Sequence, residues 1–476
     1  MTSQDITKLI KSANAGDTKA QISLENFKES VMTGDTKAQI LLGKAFYDGE
    51  GFERDYIEAA NWFRKAAEQG DATGQLDLGI CYYNGKGVTQ NYEEAVKWYL
   101  LSAKQGNKIG QFYLGCCYDS GIGVAKDLVE AAIWYRNSAE QGYAPAQLSI
   151  GEMYYLGKGV KKSYEEAAKW FLKSANSGNI QAQYYLATMY EEGQGVAKNL
   201  AEAMKLYREA GEKGHSKAQL YLGNMYYYGK GVPRDIFQAR SWYLKSAENG
   251  EAQAQYSYAI MCEKGQGWYR SCSEAFRWYR EAAKRGHDKA QYNLALMYEK
   301  GRGVSKNLEE ANRWYCEAAK RGHVNAQYNL ACMYDNGEGV VQDFNKAAFW
   351  YLKAAEQGYV DAQHDLGDLY RTVYKDYKEA EKWYLKAAEQ GCVYSQYNLG
   401  VLYMGVACTS SETGIDSDEK KAVSWYRKAA IQGFAPAQYQ LGLAYEYGLG
   451  DLTVNYALAD KWIAMAEKQG YDPNAQ

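Results

Sequence analysis

An all-α solenoid of helix-turn-helix units is the fold this sequence predicts, and three observations carry the prediction. Ten glycines (Gly34, Gly70, Gly106, Gly142, Gly178, Gly214, Gly250, Gly286, Gly322 and Gly358) fall 36 residues apart without slippage. A period of that length marks a repeat array, in which each unit buries its apolar face only against its neighbours. Within the unit HDKAQYNLALMYEKGRGVSKNLEEANRWYCEAAKRG (287–322), Ala290, Leu294, Ala295 and Tyr298, then Asn312, Tyr315, Ala318 and Ala319, recur at three- and four-residue steps. That is the spacing of two helices, each with one stripe facing a core. Between the stripes lies Gly301-Arg302-Gly303-Val304, where glycine permits the positive φ that stops the first helix and the valine can turn back toward the core.

Taken in order, residues 1–34 predict a degenerate helical cap, since GDTKAQI occurs at Gly16 and again at Gly34. A terminal unit lacks a neighbour and needs one polar face. Twelve units follow, 35–70, 71–106, 107–142, 143–178, 179–214, 215–250, 251–286, 287–322, 323–358, 359–391, 392–433 and 434–470, with a tail at 471–476. In the 287–322 unit Asn307 stands where it can cap the second helix, with Glu309 and Glu310 opposing the helix dipole. Counting from the residue after each closing glycine, position 5 is glutamine in every unit, from Gln39 to Gln438. A polar group so placed predicts a bolt to a turn carbonyl or to the next unit's backbone. The paired aromatics of the second helix, such as Trp98-Tyr99 and Trp314-Tyr315, point about 100° apart. One is expected to pack within its unit and the other against a neighbour.

Three units depart from the pattern. In 251–286, Tyr258, Cys262, Trp268 and Cys272 replace the usual residues; Trp268 is expected to refill the volume lost at Cys262, and Cys262 with Cys272 is the one thiol pair placed to bond, with two small buried thiols the favoured reading. Unit 359–391 is three residues short, with Arg371-Thr372-Val373-Tyr374 in its turn, and 392–433 carries extra residues from Ala407 through Asp418, an exposed insertion or a recognition element.

These residues resemble the Sel1-like repeat family, whose tetratricopeptide-like units read A-x-x-L-G-x-x-Y-x-x-G-x-G-V and W-Y-x-x-A-A-x-x-G. The resemblance covers residues 35–470. It implies a right-handed α-solenoid that binds other proteins, without implying a partner. Cysteine-rich relatives raise one alternative, a β-lactam-binding or hydrolysing enzyme, and a secreted host-interaction effector is another. The nine cysteines here share no repeating pair, which departs from the disulfide-stapled relatives and favours a reduced compartment.

Composition and motifs narrow the function further. A formal charge of −3 and a pI near 6.0 provide no basic face for nucleic acid. The start of the chain predicts no secretory signal and no run predicts a membrane span, so the expected address is cytoplasmic, with leaderless export to a host left open. No G-x-S-x-G, H-E-x-x-H, Walker or dinucleotide motif occurs, and no Cys/His cluster has metal-ligand spacing. The expectation is therefore a non-enzymatic scaffold with no cofactor and no metal.

In solenoids of paired helices the first helices line the concave face, and positions 3, 6, 10 and 13 keep to one side of that helix. From unit 179–214 onward this row pairs tyrosines with acids: Tyr184 and Glu191, Tyr256 and Glu263, Tyr292 and Glu299, Tyr328 and Asp335, then His364. Tyrosine supplies contact area and a hydroxyl, and the acids select a protein or peptide with a basic segment. The alternative is that the tyrosines stack on one another between units and the acids only solubilise the array. His215, His287 and His323, each directly after a closing glycine, are expected to be exposed loop residues.

Overall fold

The computed structural model describes residues 3–15, 17–405 and 416–473. Positions 407–415 of the expected insertion, with Cys408, lie outside them. Among the described residues the chain is all-helical, with 26 α-helices and no strand. They fall into two units, Met1–Asn249 and Gly250–Gln476. The first holds the helices Ser3–Asn14 and Thr18–Met32, then six pairs from Thr36–Asp48 with Tyr56–Glu68 to Ser216–Tyr228 with Ile236–Glu248. The second holds six further pairs, from Ala252–Lys264 with Cys272–Lys284 to Ala435–Tyr447 with Tyr456–Glu467. The members of each pair are called helix A and helix B. No helix among the described residues is long and apolar enough to cross a membrane.

Local sequence ends each helix where expected. Gly301 closes its helix A at φ 64°, its N–H donating to the Met297 carbonyl, and the Asn307 side chain accepts from the Glu310 N–H to open helix B. The two glycines of the turn have different duties. A Cβ on the second, Gly87, would lie 1.8 Å from the Tyr56 carbonyl oxygen at the start of the preceding helix B, and one on Gly303 would lie 2.3 Å from the Cys272 carbonyl. The first glycine turns the chain; the second is where one repeat rests on the backbone of the one before.

The core is shared between repeats. One cluster joins Ala311, Tyr315, Ala318 and Ala319 of one helix B to Ala326, Leu330 and Met333 of the next helix A, with Trp350 of the following helix B packed on it. The same composition recurs with Trp170, Trp242 and Trp383. Thus the tryptophan reaches back to the preceding repeat. Its neighbour in sequence stays home: a Cβ on Gly79 would lie 2.7 Å from the Tyr99 ring, so the small residue of helix A is the seat of the helix-B aromatic.

Position 5 is the bolt expected of it. Gln75 Nε2 donates to the Ala67 carbonyl of the preceding helix B at 3.4 Å, while its Oε1 accepts from Gln105 Nε2 at 2.8 Å. Gln327 repeats this with Ala319 and Gln357. Even in the cap, Gln21 Nε2 donates to the Ala13 carbonyl.

One expectation for the irregular repeats is corrected. Trp268 does not refill the core: it is 64% exposed and meets Tyr269 edge-on, because the turn carries it outward. Cys262, which is buried, and Cys272, which is half-buried, form no disulfide. In the short repeat the turn is rebuilt, not merely tightened. Helix A ends at Leu369, a π-helical turn spans Tyr370–Tyr374, and Lys375 takes the left-handed conformation at φ 56°. A π turn widens the helix end and lets a lysine stand where other repeats use glycine.

The glycines provide a direct test. Gly87 and Gly106 have similar φ, 73° and 83°, but nothing lies within 4 Å of a Cβ on Gly106. Gly106→Ala is expected to cost about 1 kcal/mol of backbone strain, and Gly87→Ala about 3 kcal/mol or more as the repeats are forced apart. Urea denaturation of the two variants, followed by circular dichroism, checks the order.

Candidate functional site

The candidate residues lie on helices A and are half-buried, neither sealed in the core nor fully in solvent. The structure gives each acid a specific partner. Glu191 accepts from the Tyr207 hydroxyl at 2.8 Å, Glu263 from Tyr279 at 2.9 Å, Glu299 from Tyr315, and Asp335 from Tyr351 at 3.2 Å. These tyrosines are the buried helix-B aromatics, whose hydroxyls reach the acids of helix A. A buried hydroxyl needs a partner, and the carboxylate supplies it while keeping acceptor capacity for a ligand.

The candidate tyrosines do not stack on one another. Tyr184, Tyr256 and Tyr292 lie against His215, His287 and His323 of the following repeat, with ring centroids 4.7, 4.5 and 4.6 Å apart. Tyr328 meets Tyr359 at 5.0 Å and His364 meets Tyr394 at 5.8 Å. The expectation of exposed loop histidines is thereby corrected: His215, His287 and His323 are half-buried caps at the start of helix A.

Position 7 was overlooked in the sequence and belongs to the same surface. Asn329 Nδ2 donates to the Tyr315 hydroxyl at 3.0 Å, linking it to Glu299 of the preceding repeat. Asn398 Nδ2 donates to Asp368 Oδ1 at 3.0 Å, and Tyr328 donates its hydroxyl proton to Asp365 Oδ2 at 3.0 Å. In three repeats of the first unit the same position holds a ring: Tyr113 stacks on Tyr99 at 5.4 Å, Tyr185 on Phe171 at 5.0 Å and Tyr221 on Tyr207 at 5.2 Å. The sequence signal was the unbroken polar run Asn293, Asn329, Asp365 and Asn398 at one register, where the earlier repeats mix Tyr113, Tyr185 and Tyr221 with Asp77 and Ser149.

Two concavities result in the second unit. One of about 350 Å³ is lined by Tyr292, Leu296, Glu299, Asn329, Cys332 and Glu338, among others. The other, about 420 Å³, is lined by residues including Tyr328, Asp335, Tyr351, Asp365, Asp368 and Thr372. Burial pushes the Asp365 carboxyl up to about 6 although the Tyr328 hydrogen bond opposes it, and burial also raises Asp335. His364 lies beside the second concavity's Asp368, Nε2 to Oδ2 3.4 Å, and its Nδ1 is 3.0 Å from Ser395 Oγ. Glu191 and Glu263 reach neither concavity. Among the described residues no group of three or more His, Cys, Asp or Glu is placed to hold a metal ion.

The Sel1 repeat model matches twelve times, at 36–71, 72–107, 109–143, 144–179, 180–215, 216–251, 252–287, 288–323, 324–359, 360–392, 393–434 and 435–471. Among solved structures, the chain is similar to c5321, a protective antigen of uropathogenic Escherichia coli strains displaying an SLR fold. Identity is 36% over 93% of this chain and 86% of that one, with a TM-score of 0.64. A Sel1 repeat protein from Oxalobacter formigenes is 29% identical over 70% of this chain and 94% of that one, at a TM-score of 0.54. No curated protein matches the chain significantly.

The hydroxyl–carboxylate pairs predict an asymmetry. Tyr207→Phe removes one hydrogen bond and is expected to cost about 1 kcal/mol, whereas Glu191→Leu strands the buried hydroxyl and costs about 1–3 kcal/mol. Equilibrium unfolding of both variants measures the difference.

Proposed function

The chain belongs to the Sel1 repeat family, and on that premise we propose that it is a non-catalytic scaffold that holds a protein or peptide segment carrying lysine or arginine. Solenoids of this family generally serve as protein-interaction scaffolds, and the helix-A surface of the second unit is the proposed seat. The observation that carries the reading is that Tyr292 and Glu299 share one concavity with Asn329, and Tyr328 and Asp335 share the next with Asp365 and Asp368. Aromatic walls offer contact area and cation–π faces, and the carboxylates are acceptors for an ammonium or guanidinium group. Tyr184, Glu191, Tyr256 and Glu263 extend the same row of ring and acid within their own units.

A lysine- and arginine-bearing peptide library displayed on a solid support tests this. Selected peptides are expected to bind wild type and to lose about 2 kcal/mol or more of affinity when Tyr292→Ala and Tyr328→Ala are combined. Unchanged capture with helicity intact overturns the groove. Hydrolysis of a β-lactam reporter by the purified protein would favour the enzymatic alternative instead.

The titration of the second concavity gives a further expectation. As pH falls from 7 to 5, Asp365, whose carboxyl titrates at about 6, takes up a proton, and the concavity loses negative charge. Affinity for a cationic peptide is therefore expected to fall over that window, and fluorescence anisotropy at constant ionic strength reads it.

The likeness to a protective antigen supports a second reading, that the partner is met outside the producing cell. Detection of the native protein in culture medium without lysis would favour it.

A further inference from the structure

The residue that opens helix A is used in three ways. Asp35, Asp71, Asn107 and Asn179 cap the helix through side-chain oxygens. Tyr143, Tyr359 and Phe434 make no side-chain cap bond. They lay a ring against Phe112, Tyr328 and Tyr397 of the preceding repeat instead, at 5.3, 5.0 and 5.4 Å. His215, His287 and His323 do both. Nδ1 accepts from the N–H groups of Ala218, Ala290 and Ala326 at 3.1, 3.2 and 3.3 Å, while the imidazole stacks on Tyr184, Tyr256 or Tyr292.

These bonds settle the proton's place on the ring. Nε2 lies 3.0 Å from Gln181 Oε1 at His215 and 3.1 Å from Gln253 Oε1 at His287. With Nδ1 accepting and Nε2 facing an acceptor, the neutral ring carries its proton on Nε2. A second proton can go only on Nδ1, where it faces the N–H it had been accepting from. It also places a positive charge at the positive end of a helix.

We propose that His215, His287 and His323 are acid-sensitive joints: protonation at Nδ1 breaks the helix-A cap and loosens the stack on the preceding repeat, while the joints capped by Asp and Asn hold. Burial lowers the titration of all three rings. The charges acting on them are Lys217 at His215, which lowers it further, and Asp288 with Lys289 at both His287 and His323, which oppose each other. Because the folded-state value is depressed, the stabilisation is fully present above the unfolded value of about 6.5 and is lost as pH falls through the folded value. Asp77 and Asp365, raised to about 6 by burial, act in the opposite sense on global stability, so the test must be local.

Amide hydrogen exchange of the full chain at pH 7.5 and 5.0, corrected for intrinsic rates, provides it. Protection at the start of the helices opened by His215, His287 and His323 is expected to fall on the order of tenfold relative to those opened by Asn107 and Asn179. The combined variant H215N/H287N/H323N, which installs the cap residue other repeats use, is expected to abolish that difference. Equal protection ratios at His- and Asn-opened helices in the wild type would overturn the proposal, whether or not the variant folds. So would an acid-induced loss that persists in the folded variant.

Discussion

A ring pressed onto a residue with almost no side chain is the interaction on which the structure depends. The helix-B aromatic lies so close to helix A that a Cβ on Gly79, Gly115, Gly151 or Gly223 would come within 2.5–2.7 Å of it. That approach carries the end of the ring past the small residue to polar side chains of helix A. Where the ring is Phe63 or Phe171, nothing polar is delivered there. Where it is tyrosine, a hydroxyl arrives in a half-buried place and must be met. Glu191, Asn224, Glu263, Glu299, Asp335 and Asp368 meet it. The chemistry of the candidate interaction face is thus partly imposed from below, by the packing of the core.

This changes what the acids signify. Read as a row, they look like a charge pattern written for a ligand alone. In place, each first satisfies a tyrosine, and what remains to a partner is the residual acceptor capacity and the charge. The Asn329–Tyr315–Glu299 relay shows the two uses joined, since a group lining the concavity reaches the preceding repeat's carboxylate through the buried hydroxyl. A ligand at this surface would therefore engage groups that also hold the fold together.

Periodicity made the helices, turns, caps and glutamine bolts legible, because each depends on residues close in sequence or on one repeating register. The second glycine of the turn was legible as glycine but not as a contact, because its neighbour Tyr56 precedes Gly87 by most of a repeat. His215, His287 and His323 were misplaced for the same reason. Their position next to a loop glycine suggested exposure, while the informative partner stands 31 residues earlier, at Tyr184, Tyr256 and Tyr292. The same interval links Phe112 to Tyr143 and Tyr328 to Tyr359, whereas Ile40 and Leu76 precede Asp71 and Asn107. In these repeats rings pair with rings and aliphatics with capping residues. Trp268 failed differently: a volume argument cannot say which way a turn residue points.

That pairing makes the array a chain of matched couplings, and so constrains how it can grow or shrink. Duplicating or excising a whole 36-residue block keeps every helix intact, yet it brings together two faces that had not met. A block ending on Tyr292 suits a successor opening with His323 or Tyr359, and one ending on Leu76 suits Asn107. Arrays of many lengths could thus be built from such blocks, and the joints between blocks would decide which of them persist as folded chains.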